Sequence, residues 1–195
     1  MTTGSDKVKL SEVAIVRSGL VLSRKQAKDI TPYKYLLLNL KCIDDKGYIN
    51  IQQADVFHAK EIISQEYITK PGDIVVRLSS PYTAVLIDET TAGMVISSYF
   101  IIIRTDKMFL LPEYLFWLLN TKEEKRKIFK STTTNMLSAI TTNYFSEMMI
   151  DDVSIEKQAM VAEMNRLSRR ESFLLRQLAE EKEKYYAHII KMARK

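Results

Sequence analysis

The stretch SIEKQAMVAEMNRLSRRESFLLRQLAEEKEKYYAHIIKMARK, residues 154–195, holds neither glycine nor proline and opens on Ser154 with Glu156 close behind. Serine is a favoured helix N-cap, and an early carboxylate meets the positive end of the helix dipole. The stretch therefore predicts one uninterrupted helix. Alternate steps of four and three residues from Met160 run through Met164, Leu167, Glu171, Leu174, Leu178, Glu181, Tyr185, His188 and Met192. That is coiled-coil spacing, apolar except at the two glutamates and the histidine. At about 1.5 Å per residue the helix reaches roughly 55–60 Å, too long for a domain of this size to cover. The seam thus predicts a second helix as partner, with Met160, Met164, Leu167, Leu174, Leu178, Tyr185 and Met192 as its pairing residues.

Upstream, Pro112 is placed for the first turn of a helix, and Tyr114-Leu115-Phe116-Trp117-Leu118-Leu119 makes that helix a buried one. Thr121 and Glu124 have capping-box spacing and start a basic helix carrying Lys122, Lys125, Arg126, Lys127 and Lys130. Residues 131–135, Ser-Thr-Thr-Thr-Asn, read as a polar loop. Before Pro112 the pattern is one of strands. Lys70-Pro71-Gly72-Asp73 fits a type II turn into a strand from Ile74, Thr83 to Ile87 resumes the strand pattern, and Tyr99-Phe100-Ile101-Ile102-Ile103 suits a central strand covered on both faces. Tyr35 to Ile43 and Tyr48 to Ile51, joined by Asp44-Asp45-Lys46-Gly47, read as a hairpin. Arg24, Lys25 and Lys28 crowd a basic loop that ends at Thr31-Pro32. The fold class expected is α+β. A globular domain with a mainly β core and short helices occupies 1–153, and a long coiled-coil helix occupies 154–195.

Composition bounds what this architecture can do. With 195 residues, 46% of them hydrophobic, there is room for one core and an appendage. The formal net charge of +5 favours an anionic partner such as nucleic acid. The lone Cys42 lies among Leu36, Leu37, Leu38, Leu40 and Ile43, which predicts a buried thiol and a reducing, cytoplasmic compartment. No apolar run approaches membrane-spanning length, and the first residues lack the pattern of a signal peptide.

Catalytic signatures are missing. The glycines are scattered, so neither a P-loop nor a dinucleotide fingerprint forms, and no cofactor is expected. His58 and His188 stand without the neighbours that metal binding or a Ser-His-acid relay requires. Ser79-Ser80-Pro81-Tyr82 only partly matches the base-binding motif of amino-methyltransferases, lacking its second proline. Asp73 is explained by its turn rather than as a nuclease carboxylate. The chain is read as no enzyme.

The blocks Tyr67-Ile68-Thr69-Lys70-Pro71-Gly72-Asp73-Ile74, Val95-Ile96-Ser97-Ser98-Tyr99, Leu111-Pro112-Glu113-Tyr114-Leu115 and Leu118-Leu119-Asn120 follow one another in a fixed order. With Lys9-Leu10-Ser11-Glu12-Val13 and Arg17-Ser18-Gly19 ahead of them, they resemble the DNA specificity subunit of type I restriction-modification systems. The chain departs from that pattern at Ser131-Thr132-Thr133-Thr134, where the family has a Gly-Ser pair, and at 151–158, which keeps Gln158 but has no prolines. A typical member carries two recognition domains and two spacer helices, so the resemblance implies a half subunit.

What the resemblance implies is non-catalytic. Such a subunit reads double-stranded DNA and directs methyltransferase (M) subunits, and in full complexes a restriction (R) subunit, to a bipartite site. A homodimer through the C-terminal helix would supply both halves. Within it, Arg24, Lys25, Lys28 and Lys130 suit phosphates, while Arg77, Ser79, Tyr82, Thr133 and Asn135 lie in or beside loops that reach bases or sugars. The alternative is a coiled-coil interaction protein, a decoy or assembly factor that binds methyltransferase subunits without reading DNA.

Overall fold

The computed structural model describes residues 6–134 and 141–194, with the backbone alone for 132–134. In chain order the elements are β1 (Lys7–Lys9), α1 (Leu10–Val13), β2 (Ala14–Ser18), α2 (Leu22–Lys25), β3 (Lys34–Leu38), β4 (Asp55–His58), β5 (Ile74–Arg77) and β6 (Ala84–Leu86). After these come β7 (Val95–Ile96), β8 (Phe100–Thr105), α3 (Pro112–Leu119), α4 (Lys122–Thr134), α5 (Thr142–Ser146), β9 (Met149–Asp151) and α6 (Ile155–Ala193). A four-stranded sheet in the order β2-β8-β5-β6 forms the centre, beside a three-stranded sheet β4-β3-β7 and a ribbon of β1 with β9.

The run from Tyr99 to Ile103 builds β8 as its pattern predicts. Ile101 and Ile103 join Ile74, Val76, Leu115, Leu119 and Phe145 in one core, under α3 and α5. Phe100 and Ile102 turn to the other face, with Val75, Val85, Leu38, Ile87 and Met94. A period of two with apolar residues on both sides is what a doubly covered strand requires. The turn before β5 also forms. Gly72 has φ of 89° and the Asp73 N–H donates to the Lys70 carbonyl at 3.0 Å. Asp73 is buried there, held by Arg104 through Nε at 2.9 Å and Nη2 at 3.0 Å, and by the Lys70 N–H at 2.9 Å.

Two local expectations are corrected. The hairpin from Tyr35 to Ile51 does not form. β3 stops at Leu38 because the Asn39 side chain accepts from the N–H groups of Lys41 and Cys42, turning the chain, and β3 pairs instead with β4. Of the proposed pair only the tip forms, with the Ile43–Ile49 bridge flanked by Asn50 N donating to Cys42 O (2.8 Å) and Asp44 N to Tyr48 O (3.1 Å). Residues 131–134 are the last turn of α4 and not a loop. The Ser131 hydroxyl donates back to the Ile128 carbonyl at 2.7 Å, a bond that fits a helix interior. Asn135 lies outside the described residues.

Ser154 sits at the N-cap of α6 with φ of −58° and ψ of 149°, but its side chain makes no cap bond; its carbonyl accepts from Gln158 N at 2.9 Å. The helix runs for 39 residues, about 58 Å. It is moored to the domain along its first part. The Gln158 side chain is buried and fully used: Nε2 donates to the carbonyls of Phe109 (2.9 Å) and Val153 (2.7 Å), and Oε1 accepts from Leu111 N at 2.8 Å. Three turns on, Arg169 lies between aromatic rings, 4.3 Å from the centre of Tyr48 and 4.7 Å from that of Phe116, and donates to the carbonyls of Lys46 and Gly47. Burial there pulls the guanidinium below its ordinary pKa. Cys42 is buried, as expected, and burial pushes its thiol up.

Candidate nucleic-acid interface

One end of the central sheet collects polar and aromatic groups from three segments. β2 ends at Ser18, β8 begins at Phe100 and β5 ends at Arg77, and these termini lie side by side because the three strands are antiparallel neighbours. The segments beyond them are laced together: Gly19 N donates to Phe100 O (3.0 Å), Leu20 N to Ile96 O (2.7 Å), Ser98 N to Leu20 O (2.8 Å) and Leu78 N to Tyr99 O (3.0 Å). Gly19 is required by this closeness, since a Cβ would stand 2.1 Å from the Ser97 carbonyl oxygen. Side chains that leave this end are therefore aimed from a rigid base.

Three of the nominated residues share one turn here. The Arg77 Nε donates to Ser79 Oγ at 2.8 Å, and the Tyr82 N–H donates to the Ser79 carbonyl at 2.9 Å. Tyr82 has φ of 53°, in the left-handed region that a bulky residue rarely adopts, and such departures collect at functional sites. Arg77 is half-buried and Ser79 exposed. Tyr99 belongs with them and was missed when its run was read as strand. It is 65% exposed beside this turn. Its signal was the break in apolar character at Ser97-Ser98.

The nominated cations of α2 lie on a segment laced instead to the end of β4, where Ala27 N donates to His58 O and Lys60 N to Lys25 O, both at 2.9 Å. Arg24 is exposed, and Lys28 is exposed just beyond the helix. Lys25 differs. Its ammonium pairs with Glu61, whose carboxyl is held below the usual range by that contact. A phosphate would have to compete for it. The basic helix α4 is less uniform than its sequence implies: Lys127 pairs with Glu124, and burial lowers the pKa of Lys125. Lys130 is exposed on α4, which packs on α3. Thr133 stands in the last turn of α4, with its side chain outside the described residues, as is all of Asn135. The structure thus brings Arg77, Ser79 and Tyr82 together in one turn, sets Arg24, Lys25 and Lys28 on a segment laced to the end of β4, and leaves the α4 residues on another element.

The seam residues of α6 are all exposed, from 46% at Leu174 to 65% at Met164 and Met192. No helix among the described residues is long and apolar enough to cross a membrane, and no three His, Cys, Asp or Glu side chains among them stand together to hold a metal.

No family model matches the sequence, and no curated protein is similar to it. Solved structures are. The HsdS subunit from Thermoanaerobacter tengcongensis superposes with a TM-score of 0.69 at 18% identity, over 93% of this chain and 46% of that one. A chain from a structure bearing on complex assembly and conformational transition of the type I R-M system gives 0.67 at 20% identity, over 92% and 46%. The type I restriction-modification system S subunit from M. genitalium gives 0.55 at 10% identity, over 87% and 40%. The likeness is one of fold, an α+β domain followed by a long helix. The chain spans less than half the length of each of these proteins.

Proposed function

We propose that this chain is a DNA sequence-recognition subunit of a type I restriction-modification system, working as a half subunit. Its domain, residues 1–153, reads one half of a bipartite double-stranded site. Its helix pairs with that of another such unit, and the pair positions methyltransferase subunits, with a restriction subunit in full complexes. The chain itself contributes no catalytic residue.

The observation that carries this reading is the conjunction of the shared fold with an exposed heptad seam and a polar, basic sheet end on the same molecule. A cluster of Arg77, Ser79, Tyr82 and Tyr99 on a rigid base supplies forked and hydroxyl donors for base edges, and exposed Arg24 and Lys28 elsewhere on the domain supply cations for phosphates. Salt-dependent binding of an anionic polymer is also what the net charge of +5 favours.

The test is the methylation pattern of the host genome with and without this gene. Loss of one bipartite methylated motif is the expected result, palindromic if the two units are copies of this chain. An unchanged pattern in cells that express the chain would overturn the proposal and favour a protein-interaction role.

A further inference from the structure

The basic helix α4 has no part in the turn at Ser79. At about 100° per residue, Lys122, Lys125 and Arg126 fall within about 100° of one another on α4, away from its buried Glu124 and Ile128. Lys125 stands at the edge of a cleft of about 400 Å³ where α3, α4, the turn at 44–47 and the middle of α6 meet. Lys46, Lys125, Arg169 and Arg176 line this cleft against one carboxylate, Asp45. Half-buried Trp117 forms part of its wall.

The cations of the cleft are not neutralised from within. Arg176 uses only Nε, which donates to the Ser172 carbonyl at 3.2 Å, and its guanidinium stands 5.7 Å from the centre of the Tyr48 ring that Arg169 covers at 4.3 Å. Two like charges thus share one ring. Burial, with a smaller push from Arg176, holds Arg169 below its ordinary pKa. Lys125 is half-buried, yet among the described residues no salt bridge or side-chain hydrogen bond takes up its ammonium. Burial lowers its pKa, and the field of Asp45 offsets that only in part. A buried cation short of counter-charge is costly, so an anion bound here is favoured.

We propose that this cleft is a phosphate site whose occupant is the backbone of double-stranded DNA, outside the bases read at the Arg77 turn. This deepens the function proposed above and rests on it. The donors suit phosphate oxygens: the Lys125 ammonium, the Arg176 Nη groups and the Trp117 indole N–H, none of which makes a hydrogen bond among the described residues. The position agrees. Asn120, in the cleft wall, accepts from the Ala84 N–H at 3.3 Å and donates to the Ala84 carbonyl at 3.0 Å, and Ala84 lies two residues beyond Tyr82. That is about 7 Å of chain from the turn. A duplex seated on the turn spans such a distance, since its major groove alone is about 12 Å wide.

Trp117 is the chain's single tryptophan, so its emission reports on the cleft. The experiment titrates the full-length chain, at several salt concentrations, with a short duplex of arbitrary sequence, with inorganic phosphate and with polyglutamate. The duplex is expected to change Trp117 emission saturably. Lys125→Gln and Arg176→Gln should each weaken that titration several-fold and lower its salt slope by about 1, while Lys125→Arg, which keeps the charge, and Lys7→Gln, exposed on β1, follow the unaltered chain. A silent Trp117, or an unchanged slope in both glutamine variants, overturns the proposal. A response to phosphate alone, or to polyglutamate alone, gives the cleft to a small anion or to an acidic protein segment and overturns DNA as the occupant. Because the duplex carries no chosen sequence, base reading is scored separately, as selective binding by the complex with methyltransferase subunits. Selectivity beside a silent Trp117 overturns the cleft and leaves the DNA-reading role, and a responsive Trp117 without selectivity does the reverse.

Discussion

The Arg169 guanidinium lies 4.3 Å from the centre of the Tyr48 ring, and the Tyr48 hydroxyl donates to the Arg169 carbonyl at 2.9 Å. Each residue thus holds the other through a different group. A lysine can keep the charge but not the planar stacking or the fork to two carbonyls. Arg169→Lys is expected to cost about 1–2 kcal/mol, and Tyr48→Phe about 1 kcal/mol. Urea denaturation gives the first number. Hydrogen exchange gives the location, since protection should fall around residues 165–176 and not in the central sheet.

Arg104 and Asp73 form a largely buried ion pair, with side chains 21% and 5% exposed. Arg104 Nη2 also donates to the Ile68 carbonyl at 2.9 Å. Arg104→Leu leaves a buried carboxylate with little more than the Lys70 N–H to satisfy it, and is expected to cost about 3–5 kcal/mol. The paired change Arg104→Leu with Asp73→Asn should recover part of that loss. A double-mutant cycle in urea midpoints tests it, and strict additivity would show the pair to be uncoupled.

Under the function proposed above, Arg77→Ala at the sheet end and Arg24→Ala on α2 should act differently on DNA binding by the complex with methyltransferase subunits. Loss of a phosphate contact by Arg24 lowers affinity evenly across sequences and reduces the salt slope by about 1. Loss of a base contact by Arg77 costs about 1–3 kcal/mol on the preferred site and relaxes selectivity at one position. Titrations at several salt concentrations on matched and mismatched duplexes separate the two. If both variants bind as the unaltered chain does, this end of the sheet is not the reading surface.

Asp88 offers a pH test. Burial pushes its carboxyl up, but hydrogen bonds from Thr90 and Thr91 outweigh this and leave it below its ordinary value. A depressed carboxyl contributes stability that is present above the unfolded value, about 3.9, and is lost as pH falls through the lower folded value. Asp88→Asn is therefore expected to be less stable than the parent near neutrality, and to lose less on acidification from pH 5 towards 2. Thermal midpoints across that range check the sign.

The legible parts of this chain were those governed by local spacing. The heptads of α6, the glycine turn at Gly72 and the doubly apolar β8 each follow from a period or a dihedral that adjacent residues set by themselves. What escaped was settled by side chains reaching further. Asp44 Oδ1 accepts from the N–H groups of Lys46 (2.9 Å) and Tyr48 (2.8 Å), closing the turn that had been read there, but Tyr48, read as the start of a strand, goes to a helix more than a hundred residues away. Arg169 had no apolar signature to mark it as a docking residue. At the candidate interface, Arg77, Ser79 and Tyr82 were visible as a polar break between strands. Tyr99 was hidden by the isoleucines that follow it.

Because Gln158 and Arg169 seat α6 on the domain while Leu167 and Leu178 stay exposed, the pairing proposed above would make the helix a connector whose two interfaces vary independently. A substitution in the seam, at Leu167 or Leu178, would then alter which helix is accepted while leaving Gln158 and Arg169 seated. A change in the docked stripe re-aims the domain without touching the choice of mate. On that reading, lineages carrying such a chain would be free to exchange mates by drift in a handful of leucines and methionines, so that new combinations of heads would arise while each head stayed as it was.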